Sequence, residues 1–331
     1  ATTQRLSTVV GQGLPVVAVA ALAGLVLSGP LSIGRSDPYD PRPNRAESIA
    51  EAPVLNPLAE YKGIRAQDPP VPAFRVGFIR AEDFALVSRI PLVVLDEYDG
   101  SVWSSSGRFS DAGAELENDP EIARRGQPVT QTYELAFVPG PWLPAAARAI
   151  RFEGPEVQFD AESGVLLGEG IDDYIVVSQV VGQDPEAQRD APAAVGDRFV
   201  RFRALPPGVS PELGELASEI VEGESSPWGR MDALVAYFDT GFAFDPEARS
   251  GHSLGRVSEL LTTNRVGGAE QYATALAVMA RAIGLPARLV VGYDLTGLTL
   301  GDDGSVDVTS EQYDVWVEVR FGDGFGWTAF D

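Results

Sequence analysis

The stretch NRVGGAEQYATALAVMARAIGLPARLVVGY, Asn264 to Tyr293, decides the fold. From Glu270 to Ile283 the residues Tyr272, Leu276, Met279 and Ile283 recur at helical spacing. Gly267 and Gly268 ahead of them, and Gly284 and Pro286 behind, are start and stop signals. The spacing predicts a buried helix. Leu285 to Tyr293 is rich in β-branched and apolar residues, so the helix is expected to pass through a tight Gly-Leu-Pro turn into a core strand, Pro286–Leu295.

Downstream, Tyr313–Phe321 and Phe325–Phe330 read as two further strands. A polar acidic loop, Thr296–Ser310, with Asp302, Asp303 and Asp307, separates them from the first. Upstream, Ser210-Pro211 and Ser226-Pro227 each put a capping serine before a proline at the first helical position. Met231, Leu234, Val235 and Phe238 then follow at core spacing, Gly251–Leu254 reads as a loop, and Val257–Leu261 as a short helix. Helices followed by an antiparallel sheet make residues 209–331 an α+β domain.

Residues 76–208 carry a different pattern. Leu92–Leu95 leads to Val102-Trp103 through Asp99-Gly100, a strong hairpin turn. Tyr133, Leu135 and Phe137 alternate with Thr132, Glu134 and Ala136, while Val157 and Phe159 turn through Asp160–Gly164 into Val165–Leu167. Tyr174–Val181 and Phe199–Leu205 add strands, and a β-sandwich-like domain is expected. Before it, residues 1–13 are a polar flank, and residues 14–33 lie in the uncharged run GLPVVAVAALAGLVLSGPLSI, long enough for a transmembrane helix. Prolines recur from Pro38 to Pro72, so residues 34–75 are expected to be an extended or loop-rich connector.

The formal charge of −23 argues against nucleic acid as a partner, because the field would repel phosphates. The sequence contains no cysteine and a single histidine, His252, which excludes thiol catalysis, disulfides and His-rich metal sites in this chain. His252 could act as a base for Ser250 or Ser253, but neighbours in a loop rarely face one another, so a structural loop is expected. Asp302, Asp303 and Asp307, with Asp294, offer oxygen ligands for calcium, yet their spacing fits no EF-hand, and no metal or cofactor is expected.

The segments Gly268-Ala269-Glu270-Gln271-Tyr272 and Gly284-Leu285-Pro286-Ala287-Arg288 resemble the nucleophile helix of the transglutaminase-like superfamily, papain-like in fold, in its bacterial membrane-anchored branch. In that family the helix opens Gly-Tyr-Cys-Glu and closes Gly-Ile-Pro-Ala-Arg. Tyr313-Asp314-Val315-Trp316-Val317-Glu318-Val319 resembles its strand His-Ala-Trp-Ala-Glu-Val, and Gly326-Trp327 to Asp331 its Gly-Trp-x-x-x-Asp ending. Leu95–Gly100 is similar to the Leu-Asp-x-Tyr-Asp-Gly segment ahead of the family core. The resemblance puts Ala269, Asp314 and Asp331 where the family has cysteine, histidine and an acid. A thiolate at a helix N-terminus is stabilised by free N–H groups and the helix dipole, and a methyl group can do none of its chemistry.

Two acids brought together by this fold cannot both ionise cheaply, so one is expected to rise in pKa or both to share an arginine, with Arg265 and Arg288 as candidates. Glu270, Tyr272, Tyr313 and Trp316 complete the expected binding cleft. The resemblance therefore implies a non-catalytic, membrane-anchored scaffold or binding module that takes a protein or peptide at the cell envelope. The alternatives are an active transglutaminase- or peptidase-like enzyme, or a carboxylate-dependent hydrolase using the same cleft. Arg35, Arg42 and Arg45 follow the apolar segment and only Arg5 precedes it, which by itself favours a cytoplasmic C-terminal part. The resemblance favours an extracytoplasmic one at the cell membrane, because there this helix is the last of several. The family also runs on past the position of Asp331, so a longer parent protein is expected.

Overall fold

The computed structural model describes residues 50–51 and 57–331, apart from 118, 147 and 183, and these fall in one compact unit. Its principal elements begin with helix α1 (Pro57–Arg65) and strands β1 (Pro72–Phe78), β2 (Arg89–Leu95), β3 (Gln127–Leu135), β4 (Arg148–Glu153) and β5 (Asp173–Val180). Helices α2 (Pro211–Ile220), α3 (Pro227–Gly241), α4 (Leu254–Glu259) and α5 (Ala269–Ala282) follow. Strands β6 (Ala287–Asp294), β7 (Ser305–Thr309), β8 (Tyr313–Phe321) and β9 (Gly326–Phe330) complete the set.

The predicted central helix is α5, and every residue from Ala273 to Arg281 is buried. Gly268 stands at its N-cap, where the Gln271 side-chain oxygen accepts the Gly268 N–H at 3.0 Å and satisfies one of the orphan donors. At the far end Gly284 adopts φ +84°, and the Leu285 N–H reaches back to the Ala280 carbonyl at 2.9 Å. Arg281 ties this last turn to its surroundings. Buried, it donates to the carbonyls of Ala287 (3.0 and 2.9 Å), Asp96 (2.7 Å) and Ala204 (3.1 Å), and burial lowers its pKa to about 10.

The helix packs on an antiparallel sheet of order β9-β8-β6-β2. In its register Arg288 faces Glu318, Val290 faces Trp316 and Gly292 faces Asp314, so these six share one side of the sheet. Leu289, Val291, Val315 and Val317 point to the other side and are buried. Burial of side chains such as Leu276, Met279 and Leu289 contributes about 1.5–3 kcal/mol each relative to exposure. Gly292 is needed for space, because a Cβ there would lie 2.3 Å from the Ile90 carbonyl and 2.8 Å from the Trp316 ring.

A strand-rich region accompanies this core. Its larger sheet has the order β7-β1-β3-β5-β4, and short strands at 50–51, 108–111, 158–159, 166–167 and 142–143 make a second. The Asp99-Gly100 hairpin forms between Glu97–Tyr98 and Trp103–Ser104. Gly100 takes φ +97°, and Asp99 Oδ1 accepts from the N–H groups of Ser101 (2.7 Å) and Val102 (2.8 Å).

Several expectations need correction. The two halves exchange strands across 208/209: β2 is an edge strand of the core sheet, and β7 is an edge of the strand-rich sheet. The acidic loop Thr296–Ser310 therefore contains a strand, with Val306 and Val308 buried on either side of exposed Asp307. Phe199–Leu205 is not a strand but two 3₁₀ turns, whose Phe202 packs edge-on against Trp327 at 4.8 Å. The connector contains helix α1, because residues 58–65 lack proline and Pro57 sits at the helix start, where a missing N–H costs nothing. Ser210 precedes α2 without a side-chain cap, whereas Ser226 Oγ accepts the Gly229 N–H at 3.0 Å as expected. The expected transmembrane segment, residues 14–33, lies outside the described residues. Among the described residues no helix is long and apolar enough to cross a membrane.

Candidate functional site

Ala269 opens α5, half-buried, and its side of the helix faces a cleft of about 400 Å³. Asp314, at the start of β8, and Asp331, just past β9, line the same cleft. The fold thus gathers the three positions that the resemblance put in one triad. One wall is aromatic: Phe238 lies 5.1 Å from Phe242 and 5.6 Å from Tyr272 between ring centroids. Exposed Phe244, with Trp316, Tyr61 and Phe330, extends it.

Carboxylates define the other end. Oxygens of Asp294, Asp314 and Asp331 all lie within 4.8 Å of one another. Asp314 Oδ1 accepts from the Tyr61 hydroxyl at 3.2 Å and from the Val315 N–H at 2.9 Å. Burial nevertheless pushes the Asp314 carboxyl above its ordinary value, with the hydrogen bonds and Arg65 opposing. Among the described residues no arginine bridges Asp314 and Asp331; Arg89, rather than the expected Arg265 or Arg288, joins Asp331 to Asp294. Its Nη2 donates to Asp331 Oδ2 at 2.6 Å and stands 3.9 Å from Asp294. Three oxygen ligands converge closely enough for one cation, and the cation within reach in this structure is that guanidinium.

Of the remaining expected cleft residues, Tyr272 and Trp316 line it and four do not. Glu270 is buried, and its Oε1 accepts the Gly251 N–H at 3.4 Å, because the helix turn carries its side chain away from the cleft. Tyr313 is buried against Tyr293 at 5.3 Å, one strand residue from Asp314 and therefore on the opposite face. Arg265, at φ +50°, lies 5.3 Å over the Phe242 ring, and Arg288 pairs with Glu318 at 2.7 Å four strand residues along β8 from Asp314. The calcium set considered from sequence is also dispersed: Asp303 and Asp307 pair with Arg75 at 3.7 and 2.8 Å, while Asp294 stands beside Asp314 and Asp331. His252 is buried in its loop, and its carbonyl accepts the Tyr98 hydroxyl at 2.6 Å.

Tyr61 and Arg89 were invisible as site residues because each comes from a segment assigned elsewhere. Tyr61 lay in the connector and Arg89 in the strand-rich half. A signal existed for the second: Ile90–Leu95 is apolar almost throughout, the mark of a strand covered on both faces.

The transglutaminase-like superfamily model matches residues 214–331. These residues form a transglutaminase-like domain. The periplasmic domain of TgpA from Pseudomonas aeruginosa superimposes with a TM-score of 0.63 at 22% identity, covering 87% of this chain and 93% of that one. The same domain bound to ethylmercury gives 0.63 at 22%, covering 84% and 94%. The likeness extends well beyond the matched domain, so the strand-rich region belongs to the shared fold. No curated protein matches the chain.

Proposed function

We propose that the chain is a non-catalytic, membrane-tethered module whose transglutaminase-like cleft binds a protein or peptide at the cell envelope. The observation that carries this reading is Ala269, whose methyl group opens α5 in the cleft beside Asp314 and Asp331, in a sequence without any thiol. Neither a covalent acyl intermediate nor an imidazole-assisted step can be formed from such side chains. Binding asks only for shape and charge. Aromatic walls leading to a carboxylate cluster suit an extended peptide presenting a lysine or arginine side chain, which the rings hold by cation–π attraction and the acids by charge. The periplasmic origin of the TgpA neighbour and the apolar segment 14–33 support a membrane-tethered, extracytoplasmic placement.

Fluorescence anisotropy with labelled lysine- and arginine-containing peptides tests the reading. Binding is expected to weaken about tenfold on Phe242→Ala, whose ring supplies stacking area. Incorporation of a labelled amine into an acceptor protein by the unaltered chain would overturn it.

One observation favours a second reading, a carboxylate hydrolase. Asp314 is pushed up while its neighbour Asp331 holds an arginine, an asymmetry from which acid and base roles can arise. Release of product from peptide or ester substrates at weakly acidic pH, lost in Asp314→Asn, would establish that reading; no turnover excludes it for those substrates.

A further inference from the structure

A second cavity, of about 180 Å³, lies further along the core sheet, beside Arg288, Trp316 and Glu318. Three arginines line it, from three separate strands: Arg89 of β2, Arg148 of β4 and Arg288 of β6. Each keeps one buried guanidinium nitrogen without a protein acceptor: Nε of Arg89, Nε of Arg148 and Nη1 of Arg288. A buried donor left unpaired is costly, and three around one cavity point to an acceptor that belongs there.

The partners already present explain the charge that remains. Arg288, 5% exposed, donates through Nε (2.8 Å) and Nη2 (2.7 Å) to a single oxygen of Glu318, whose other oxygen accepts from Trp316 Nε1 at 3.3 Å. Arg89 is held by Asp331. Arg148 has no carboxylate partner at ion-pair distance among the described residues. Its Nη2 donates to the carbonyls of Glu117 (3.1 Å) and Ala161 (2.6 Å). Burial holds the Arg148 pKa down, with Asp119 opposing and Arg288 adding to the effect. Among the described residues Glu318 is the only acid in the lining, and with Asp331 on Arg89 it leaves one of the three positive charges without an ion-pair partner, in a chain whose formal charge is −23. Around these heads the apolar Leu92, Leu143, Val180 and Phe325 share the walls with the polar Gln179, Gln188 and Thr328, and exposed Ser88 marks where the cavity reaches the surface.

We infer that this cavity is a binding site for a small organic carboxylate with an apolar tail. Guanidinium N–H groups from three strands match a planar oxyanion, and a single uncompensated charge suits a monoanion better than a dianion. The apolar side chains among the walls favour a tail that inorganic phosphate lacks.

Isothermal titration of the full chain with acetate, butanoate and hexanoate tests this, with 1-hexanol and inorganic phosphate as comparators. Saturable binding should tighten about fourfold per added methylene until the cavity fills. Hexanol should bind at least about tenfold more weakly than hexanoate for lack of charge-assisted hydrogen bonds. Arg148→Gln leaves the Arg288–Glu318 pair intact and should weaken hexanoate by about tenfold or more. Hexanol binding as tightly as hexanoate, phosphate binding more tightly than hexanoate, or unchanged affinity in Arg148→Gln would each overturn the proposal. Should that variant fail to fold, a crystal of the unaltered chain soaked in hexanoate decides. A carboxylate on the three nitrogens supports the site, and ordered water alone on them sinks it.

Discussion

Trp316 lines both recesses of the core sheet, and the two differ in charge, depth and origin. The cleft beside α5 sets Asp314 and exposed Asp331, with Asp294 close behind them, against aromatic walls. The cavity gathers three arginines against walls of mixed apolar and polar side chains, with its central pair almost wholly enclosed: the Arg288 and Glu318 side chains are 7% and 10% exposed. Arg89 belongs to both, with Nη2 on Asp331 and Nε among the cavity's unpartnered donors. The contrast teaches that charge of one sign can be concentrated in two ways. The cleft stays partly open, so water and one arginine temper its acids. The cavity relies on a strand-paired carboxylate and leaves donors for something else.

The comparison breaks first at Arg288. Arg288→Met leaves Glu318 charged and buried, and should cost about 3–5 kcal/mol in urea unfolding. A loss below about 1 kcal/mol would mean that the cavity is as well solvated as an exposed ion pair. Next comes the wall between the recesses. Gly292→Ala drives a methyl into the Ile90 carbonyl and the Trp316 ring and should destabilise by about 2–3 kcal/mol, with a shift in tryptophan emission as Trp316 moves.

A smaller effect sits at Asp314. Its folded pKa is raised above the ordinary 3.8, so the folded protein binds that proton more tightly than the unfolded chain does. Stability is therefore lost as pH climbs from the ordinary carboxylate value through the raised one. In Asp314→Asn that loss disappears. The variant's stability relative to the unaltered chain should rise as pH climbs above the ordinary carboxylate value and level off once Asp314 is ionised in the folded protein. A difference independent of pH would show that Asp314 titrates as an ordinary exposed acid. The smallest change is expected from Arg89→Met. Asp331 is 49% exposed and can be hydrated, so the loss should stay within about 1 kcal/mol. A much larger loss would make Arg89 a buried charge of the cavity kind.

Much of the core was legible. Helix α5 was set by its apolar period and its flanking glycines, β8 by a run of apolar and β-branched residues, and the meeting of Ala269, Asp314 and Asp331 by motif resemblance. Side-chain direction was less so. Glu270 and Tyr313 are one residue from cleft positions yet point away, since a step of one turns a helical side chain by about 100° and a strand side chain to the other face. Arg265 and Arg288, near the motif in sequence, stay away from the acids, and the arginine that reaches Asp331 and Asp294 comes from β2.

By itself, then, the sequence determined which segments are helix or strand around the cleft, that no thiol is present, and which three residues stand at the triad positions. Only the tertiary structure decided that β2 and β7 change sheets, that Arg89 reaches the acids, and that Arg89, Arg148 and Arg288 surround one cavity. The reason is physical. Helical and strand periods are local properties of neighbouring residues, whereas sheet partners and convergent charges depend on which distant surfaces bury one another, and no local pattern records that choice.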